Sequence, residues 1–175
     1  PGIVRALENG VDTVEHGFYL DGAALDLFLE TEATFVPTLS IVHRIVTEGA
    51  DHGVPEYGLE KAREAREAHV DSTRRAYEAG VPIATGTDFL GPDLAPHGTN
   101  ALELELLVSE IGLSEAEAVA AATGVAARTV PADDVGHLDV GAHADFLAVE
   151  ADPLSDISVL RAPDVVYRGG EPVEL

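Results

Sequence analysis

The sequence predicts an α/β fold: the C-terminal part of a (β/α)8 TIM barrel, followed by a separate antiparallel β segment. Helical and strand patterns alternate from residue 2 to Pro131, which is typical of a parallel sheet. A doubly wound sheet is the rival, but it predicts a Gly-x-Gly-x-x-Gly loop after a strand, and the sequence has none. After Pro131, short β-rich runs are broken by Gly, Pro and Asp. We therefore predict two domains, residues 1–131 and 132–175.

The first half of the chain predicts two strands, each preceded by a helix. A short apolar helix ends at Gly10, and residues 11–17 contain a strand of about four or five residues that ends at His16. Asp21 is placed to cap the next helix. That helix carries three apolar residues on one face, namely Leu25, Phe28 and Leu29. Residues 34–40 are the second strand, with Pro37 near its end.

The middle of the chain predicts a long excursion and then the third strand. Residues 41–58 are irregular or partly helical, and residues 59–80 form a strongly charged, mostly solvated helix that ends at Gly80. Residues 81–88, "VPIATGTD", are the third strand. Two further helices follow, and the second begins with Ser114 and Glu117 in capping-box register.

Composition sets limits on partners and chemistry. Asp and Glu number 32 against 10 Lys and Arg, giving a formal net charge of −22, and this acid is dispersed along the chain. Such a surface repels nucleic acid and anionic membranes, and dispersed acid with a single lysine, Lys61, resembles proteins of extreme halophiles. The sequence has no cysteine, which excludes disulfides and thiolate metal sites. No apolar run approaches the roughly 20 residues of a membrane span, and we expect a cytoplasmic protein.

Polar residues follow two of the predicted strands. Active sites of barrels lie at the C-terminal ends of the strands, where this chain places His16 and Asp88, while the second strand ends in Thr38 and Ser40. Imidazole nitrogen and carboxylate oxygen suit a divalent metal ion. The alternatives are a hydrogen-bonded structural histidine and an aspartate that caps a turn.

An ordered set of motifs carries a family resemblance. "VDTVEHG" is followed by "PTL", "AGVPIATGTD", "HGTNALELELLV", "GLSEAEAVAAATGVAA" and "GHLDVGAHADFLAVEADPLSDISVL". Together these resemble the metal-dependent amidohydrolase superfamily, in particular its imidazolonepropionase-like and Xaa-Pro dipeptidase-like branch. The resemblance implies that the three predicted strands are about strands 6–8 of the barrel. It also implies that the segment after Pro131 is the β-sandwich segment that flanks the barrel.

The resemblance also implies roles for individual residues. His16 corresponds to a histidine ligand of the metal centre, and Asp88 to the aspartate that contacts the metal and acts as general base. His97 corresponds to a loop histidine near the substrate, with a structural role through Asn100 as the alternative. Tyr19 is a second candidate substrate contact, with packing as its alternative. The remaining histidines are expected to be surface or structural residues: His43, His52, His69, His137 and His143.

The chain also departs from the family pattern. Members need a His-x-His pair, a carboxylated lysine or a glutamate, and a further histidine from earlier strands, and none of these is present. With no methionine and with Pro1 at its start, the chain is expected to be a C-terminal fragment that is inactive alone. The parent would hydrolyse C–N amide-type bonds of a small substrate or dipeptide with one or two divalent ions, zinc being the expected one. The alternatives are a non-catalytic α/β module, in which His16 and Asp88 are structural, and one half of a split enzyme; a homo-oligomer is left open.

Overall fold

The computed structural model describes residues 2–89, 91 and 93–174 of a mixed α/β chain. Its helices are joined by short loops and alternate with strands up to residue 84. In chain order the α-helices are α1 (Gly2–Glu8), α2 (Gly22–Thr31), α3 (Leu39–Glu48), α4 (Glu56–Ala79), α5 (Ala101–Leu106), α6 (Glu115–Ala122) and α7 (Gly124–Ala127). A π-helical turn, Leu107–Ile111, continues α5.

Local signals in the sequence determine where several helices begin and end. The Asp21 side chain accepts a hydrogen bond from the backbone N of Ala24 at 2.9 Å and so caps α2. Ser114 and Glu117 form the predicted capping box at the start of α6. Helix α4 ends at Gly80, whose φ of 85° lies in the left-handed region that glycine adopts without strain. These three predictions are confirmed.

The first sheet is parallel, as the alternation of helices and strands predicts. Strand β1 (Thr13–Glu15) pairs with β2 (Thr34–Val36) in parallel register. The predicted third strand lies on the other side of β2 but forms only an isolated bridge, between Ile83 and Phe35. Two backbone bonds make this bridge: Phe35 N donates to Pro82 O at 2.8 Å, and Ala84 N donates to Phe35 O at 2.9 Å. The order β1, β2, residues 82–84 brings three chain segments side by side in one direction.

The main core lies between this sheet and the helices. The rings of Phe28 and Phe35 are fully buried, with centroids 5.8 Å apart. The face predicted for α2 is wrong at Leu29, which is 46% exposed. The buried stripe runs through Ala24 and Phe28. Because successive helical residues are about 100° apart, Leu29 is turned away from the core.

The excursion is more regular than its sequence pattern indicates. The segment predicted to be irregular or partly helical contains the regular helix α3, and α4, predicted to be mostly solvated, also has a buried side. Helix α4 buries one stripe against the rest of the chain, made of Leu59, His69, Ser72, Thr73 and Ala76. The sequence pattern did not predict this stripe, because part of it is made of Ser and Thr, which a search for hydrophobic periodicity does not count as apolar.

The C-terminal segment contains an antiparallel sheet. Strands β3 (Phe146–Ala148), β4 (Val165–Arg168) and β5 (Glu171–Val173) form one three-stranded sheet. The predicted sandwich needs a second sheet facing the first, and the described residues of this segment supply only one. A 3-10 turn, Ile157–Arg161, lies between β3 and β4 and packs Ile157 against Leu104 and Ala118. Among the described residues, no helix is long and apolar enough to cross a membrane.

Candidate active site

Three chain segments turn sharply after the parallel strands. His16 follows β1 with φ 67°, Thr38 follows β2 with φ 57°, and Asp88 follows the third segment with φ 53°. Left-handed backbone is uncommon for residues other than glycine, and for a β-branched residue such as Thr38 it is an outlier. Such conformations cluster at functional sites, where surrounding contacts hold them. Because the segments are parallel, all three turns lie at the same edge of the sheet.

The His16 imidazole contacts the neighbouring strand end. Its Nδ1 lies 2.7 Å from the Thr38 hydroxyl oxygen, which is itself 2.6 Å from the carbonyl oxygen of Pro37. A carbonyl only accepts, so the Thr38 hydroxyl donates to Pro37, and the remaining bond requires His16 Nδ1–H to donate to Thr38. The Nε2 atom of His16 is then the unprotonated nitrogen, which is the form that binds a metal ion.

Two glycines of the motifs are required by packing against β2. A Cβ on Gly17 would lie 2.2 Å from a ring carbon of Phe35, and its φ is 63°. A Cβ on Gly86 would lie 2.4 Å from Val36 Cγ1. The glycines of "EHG" and "GTD" therefore let the segments that carry the two candidate ligands pass close to the central strand.

Asp88 is exposed and lies in a loop held by its neighbours. Thr87 Oγ1 accepts a hydrogen bond from Asn100 Nδ2 at 3.1 Å, and Gly98 N donates to Asn100 Oδ1 at 3.2 Å. Phe89, directly after Asp88, is buried. The Asp88 carboxylate therefore faces solvent from a backbone that is fixed on both sides.

Arg44 of α3 joins the two ends of the same loop. Its guanidinium carbon lies 5.4 Å from the centre of the Phe89 ring, and its Nη2 donates to Thr99 Oγ1 at 3.2 Å. Its Nη1 also pairs with Glu48 at 3.0 Å. The sequence analysis did not single out Arg44, because its partners Phe89 and Thr99 are far from it in the chain.

Two buried titratable side chains support the turn at Thr38 from behind. Glu103 is fully buried and accepts hydrogen bonds from Leu39 N at 2.9 Å and Ser40 N at 2.7 Å. Burial raises the pKa of Glu103 to about 7, against the hydrogen bonds that lower it. His69 donates from Nε2 to Pro37 O at 2.7 Å, and burial lowers the pKa of His69. Glu103 was missed, because "ELE" resembles a charged surface. His69 was expected to be a surface or structural residue, and the structure makes it a buried structural one.

The predicted substrate contacts remain predictions. Tyr19 is 70% exposed, with its ring 6.3 Å from that of Phe18, and His97 is exposed. Within the part of the chain that the structure describes, no three His, Asp or Glu side chains could hold a metal ion together. His16 Nε2 and the Asp88 carboxylate are two donors that suit a divalent ion by their chemistry, and further donors would have to come from other strands.

Comparison with known proteins identifies the family. The model of the amidohydrolase family matches residues 1–173. The chain is 33% identical to an ochratoxinase of Aspergillus niger over 97% of its length, and 32% identical to an imidazolonepropionase of Nocardia farcinica over 86%. It superposes on the crystal structure of a Xaa-Pro dipeptidase with bound methionine in its active site with a TM-score of 0.86, at 37% identity over 99% of the chain.

These relatives are longer than the chain. It spans 35% of the ochratoxinase, 33% of the imidazolonepropionase and 42% of the dipeptidase chain. The family model nevertheless covers nearly all of its residues. The resemblance recognised from the motifs is therefore confirmed, and the chain belongs to the amidohydrolase family.

Proposed function

We propose that this chain supplies His16 and Asp88 to the divalent-metal site of a hydrolase that cleaves a C–N amide-type bond. The observation that carries the proposal is the hydrogen bond from His16 Nδ1–H to Thr38, because it leaves Nε2 free at the edge where Asp88 emerges. Zinc is the ion that we propose, since imidazole and carboxylate are among its common ligands in catalytic sites.

The two side chains have different tasks in the proposed reaction. A divalent ion, when bound, polarises the substrate carbonyl and makes water a better nucleophile at neutral pH. His16 contributes the Nε2 lone pair that holds the ion. The exposed Asp88 carboxylate accepts the proton of the attacking water and returns it to the leaving nitrogen, as a general base and then a general acid. The left-handed turn at Asp88 and the anchored loop around it keep this carboxylate in one place.

The proposed substrate is a small amide or a dipeptide. Support comes from the Xaa-Pro dipeptidase structure, which holds methionine in its active site, and from the ochratoxinase. We propose that the described residues of the loop between Asp88 and Asn100 line the pocket, with His97 and Tyr19 as contacts. Both side chains are exposed, so they are free to meet a substrate.

We propose that activity needs the remaining strands of the barrel. The outer edge of β1 and the segment 82–84 each lack a further described strand partner, and unpaired edges need to be covered. We use the term complete barrel for this chain together with those remaining strands, whether they belong to the same polypeptide or to a separate one. The chain alone is expected to be inactive.

The proposal is tested by turnover of the complete barrel on a panel of Xaa-Pro dipeptides and N-acyl amino acids. Asp88→Asn is expected to abolish turnover while leaving circular dichroism unchanged, because the amide cannot accept the proton. Asp93→Asn is the matched control, since Asp93 is an exposed aspartate of the same loop, and it should retain activity. Near-normal turnover in Asp88→Asn would contradict the role proposed for Asp88, whereas a wild type that turns over none of these substrates would favour the non-catalytic α/β module.

We also propose that the protein works in concentrated salt and in the cytoplasm. With a net charge of −22, the acidic side chains repel one another at low ionic strength. Molar salt shortens the Debye length to roughly 3 Å and so screens this repulsion. The dispersed acid and the lack of cysteine support this proposal. The acidic surface also disfavours nucleic acid and anionic membranes as partners.

A further inference from the structure

The turn after β2 contains no side chain that is proposed to bind the metal, yet its backbone is strained and held by buried contacts. Thr38 adopts φ 57°, a conformation that is strained for a β-branched residue. Such strain persists only where surrounding contacts impose it. The contacts around this turn therefore indicate what it holds in place.

Buried side chains hold this turn on both sides of Thr38. Before it, the carbonyl oxygen of Pro37 accepts hydrogen bonds from His69 Nε2 at 2.7 Å and from the Thr38 hydroxyl at 2.6 Å. After it, the Glu103 carboxylate accepts from the backbone N of Leu39 at 2.9 Å. The Thr38, His69 and Glu103 side chains come from three different segments.

The Glu103 carboxylate suits this position because it offers two acceptor oxygens. Its Oε1 takes the N–H of Leu39 and its Oε2 takes the N–H of Ser40, the first two residues of α3. The first N–H groups of a helix have no partner within the helix. An amide has only one acceptor oxygen, so glutamine cannot satisfy both donors. Glu103 therefore fixes the backbone from which the Thr38 hydroxyl projects.

We infer that Thr38, held in its strained turn by Glu103, is a positioning residue that fixes the tautomer and the orientation of the His16 imidazole. The Thr38 oxygen accepts from His16 Nδ1–H because its own hydrogen is committed to Pro37. The oriented imidazole belongs to an exposed residue and carries no proton on Nε2 when the ring is neutral. As a role in metal binding, this inference rests on the proposed function, whereas the tautomer itself does not depend on it.

The tautomer is measured directly by the ¹⁵N chemical shifts of the His16 ring in uniformly labelled protein at about pH 9, where imidazoles are neutral. The wild type is expected to show a protonated Nδ1 and an unprotonated Nε2. Thr38→Val keeps the β-branch but removes the acceptor, and is expected to shift His16 toward the Nε2–H form. Thr38→Ser keeps the hydroxyl and should restore the wild-type shifts.

Matched variants separate positioning from general loss of structure. Thr13→Val removes a hydroxyl on β1 that bonds to Glu15, so it should leave the His16 shifts unchanged. Glu103→Gln should broaden or shift the His16 signals, whereas Glu105→Gln, on the same helix but paired with Arg161 at the surface, should not. A wild-type His16 with Nε2–H, or a Thr38→Val variant with unchanged shifts, would overturn the inference.

A second readout connects positioning to the metal. In the complete barrel, Thr38→Val should weaken Zn²⁺ affinity by roughly 10- to 100-fold, the usual cost of losing a partner that orients a ligand, and Thr38→Ser should recover most of it. Unchanged Zn²⁺ affinity in Thr38→Val would overturn the positioning role. If the wild type binds no Zn²⁺ while the ring keeps its expected tautomer, the proposed function fails and the structural part of the inference stands.

Discussion

The buried carboxyl of Glu103 should make the stability of this protein depend on pH in a defined window. Burial raises its pKa from an ordinary 4.5 to about 7 in the folded protein. Below pH 4.5 the group is protonated in both the folded and unfolded states, so the folded protein buries no charge there. As the pH rises from 4.5 through about 7, the unfolded chain ionises this group first while the folded protein keeps the proton, so this contribution to stability is lost.

The size of the effect follows from the two pKa values. One pKa unit corresponds to about 1.4 kcal/mol, so the change from 4.5 to about 7 amounts to about 3 kcal/mol of unfolding free energy. The sign is a loss of stability with rising pH, because the folded state binds more protons than the unfolded state in this window. This loss is large beside the net stability of most domains, about 5–15 kcal/mol.

Urea unfolding of the wild type and Glu103→Gln between pH 4.5 and 8.5 measures this contribution. Other acidic groups titrate alike in both proteins and cancel in the difference, and the altered hydrogen bonding of the amide adds a constant offset. The wild type is expected to lose about 3 kcal/mol relative to the variant as the pH rises. In Glu105→Gln, which removes an ion pair with the exposed Arg161, the corresponding difference should change by less than about 1 kcal/mol. A difference for Glu103→Gln that stays flat across this range would refute the reasoning.

Three further predictions concern packing and charge. Phe28→Ala should lower the unfolding free energy, measured in urea, by about 3–5 kcal/mol. Leu29→Ala, at the next residue, which is 46% exposed, should lower it by less than about 1 kcal/mol. Equal losses in the two variants would contradict the assignment of Phe28 to the core. Gly17→Ala should lower the melting temperature much more than Gly53→Ala. Both glycines have positive φ, but of these two only Gly17 would place a Cβ against the Phe35 ring. Similar decreases in melting temperature would contradict the steric clash at Gly17. Raising KCl from 0.1 to 2 M should raise the melting temperature, since it screens the charge of −22; no rise would count against the proposal of a salt-adapted protein.

The parts of the fold that could be predicted are those that depend on neighbouring residues. The caps at Asp21 and Ser114 and the stop at Gly80 involve atoms a few residues apart, so the sequence pattern contains them. The parallel order of the strands followed from the alternation of elements. The bridge at Ile83 is shorter than the predicted strand, because strand length depends on partners that lie elsewhere in the fold.

The parts that could not be predicted are contacts between distant residues. The His16–Thr38 hydrogen bond joins residues 22 apart in the chain, and the Glu103–Leu39 bond joins residues 64 apart. Glu103 belongs to a run of alternating Leu and Glu that a helical pattern assigns to solvent. Only the packing of α5 against α3 shows that one of its acidic residues is buried. His16 and Asp88 could be proposed because the ends of parallel strands meet at one edge.

The most direct test of the central claim is a double-mutant cycle on Co²⁺ affinity in the complete barrel, with His16→Asn and Asp88→Asn. If both side chains bind the same ion, each substitution weakens affinity and the double variant loses less than the two single losses added together, with a coupling of at least about 1 kcal/mol. His52→Asn, at an exposed histidine away from the site, should leave affinity unchanged. Losses that add without coupling, or single variants that bind Co²⁺ as the wild type does, would contradict the claim that His16 and Asp88 share one metal ion.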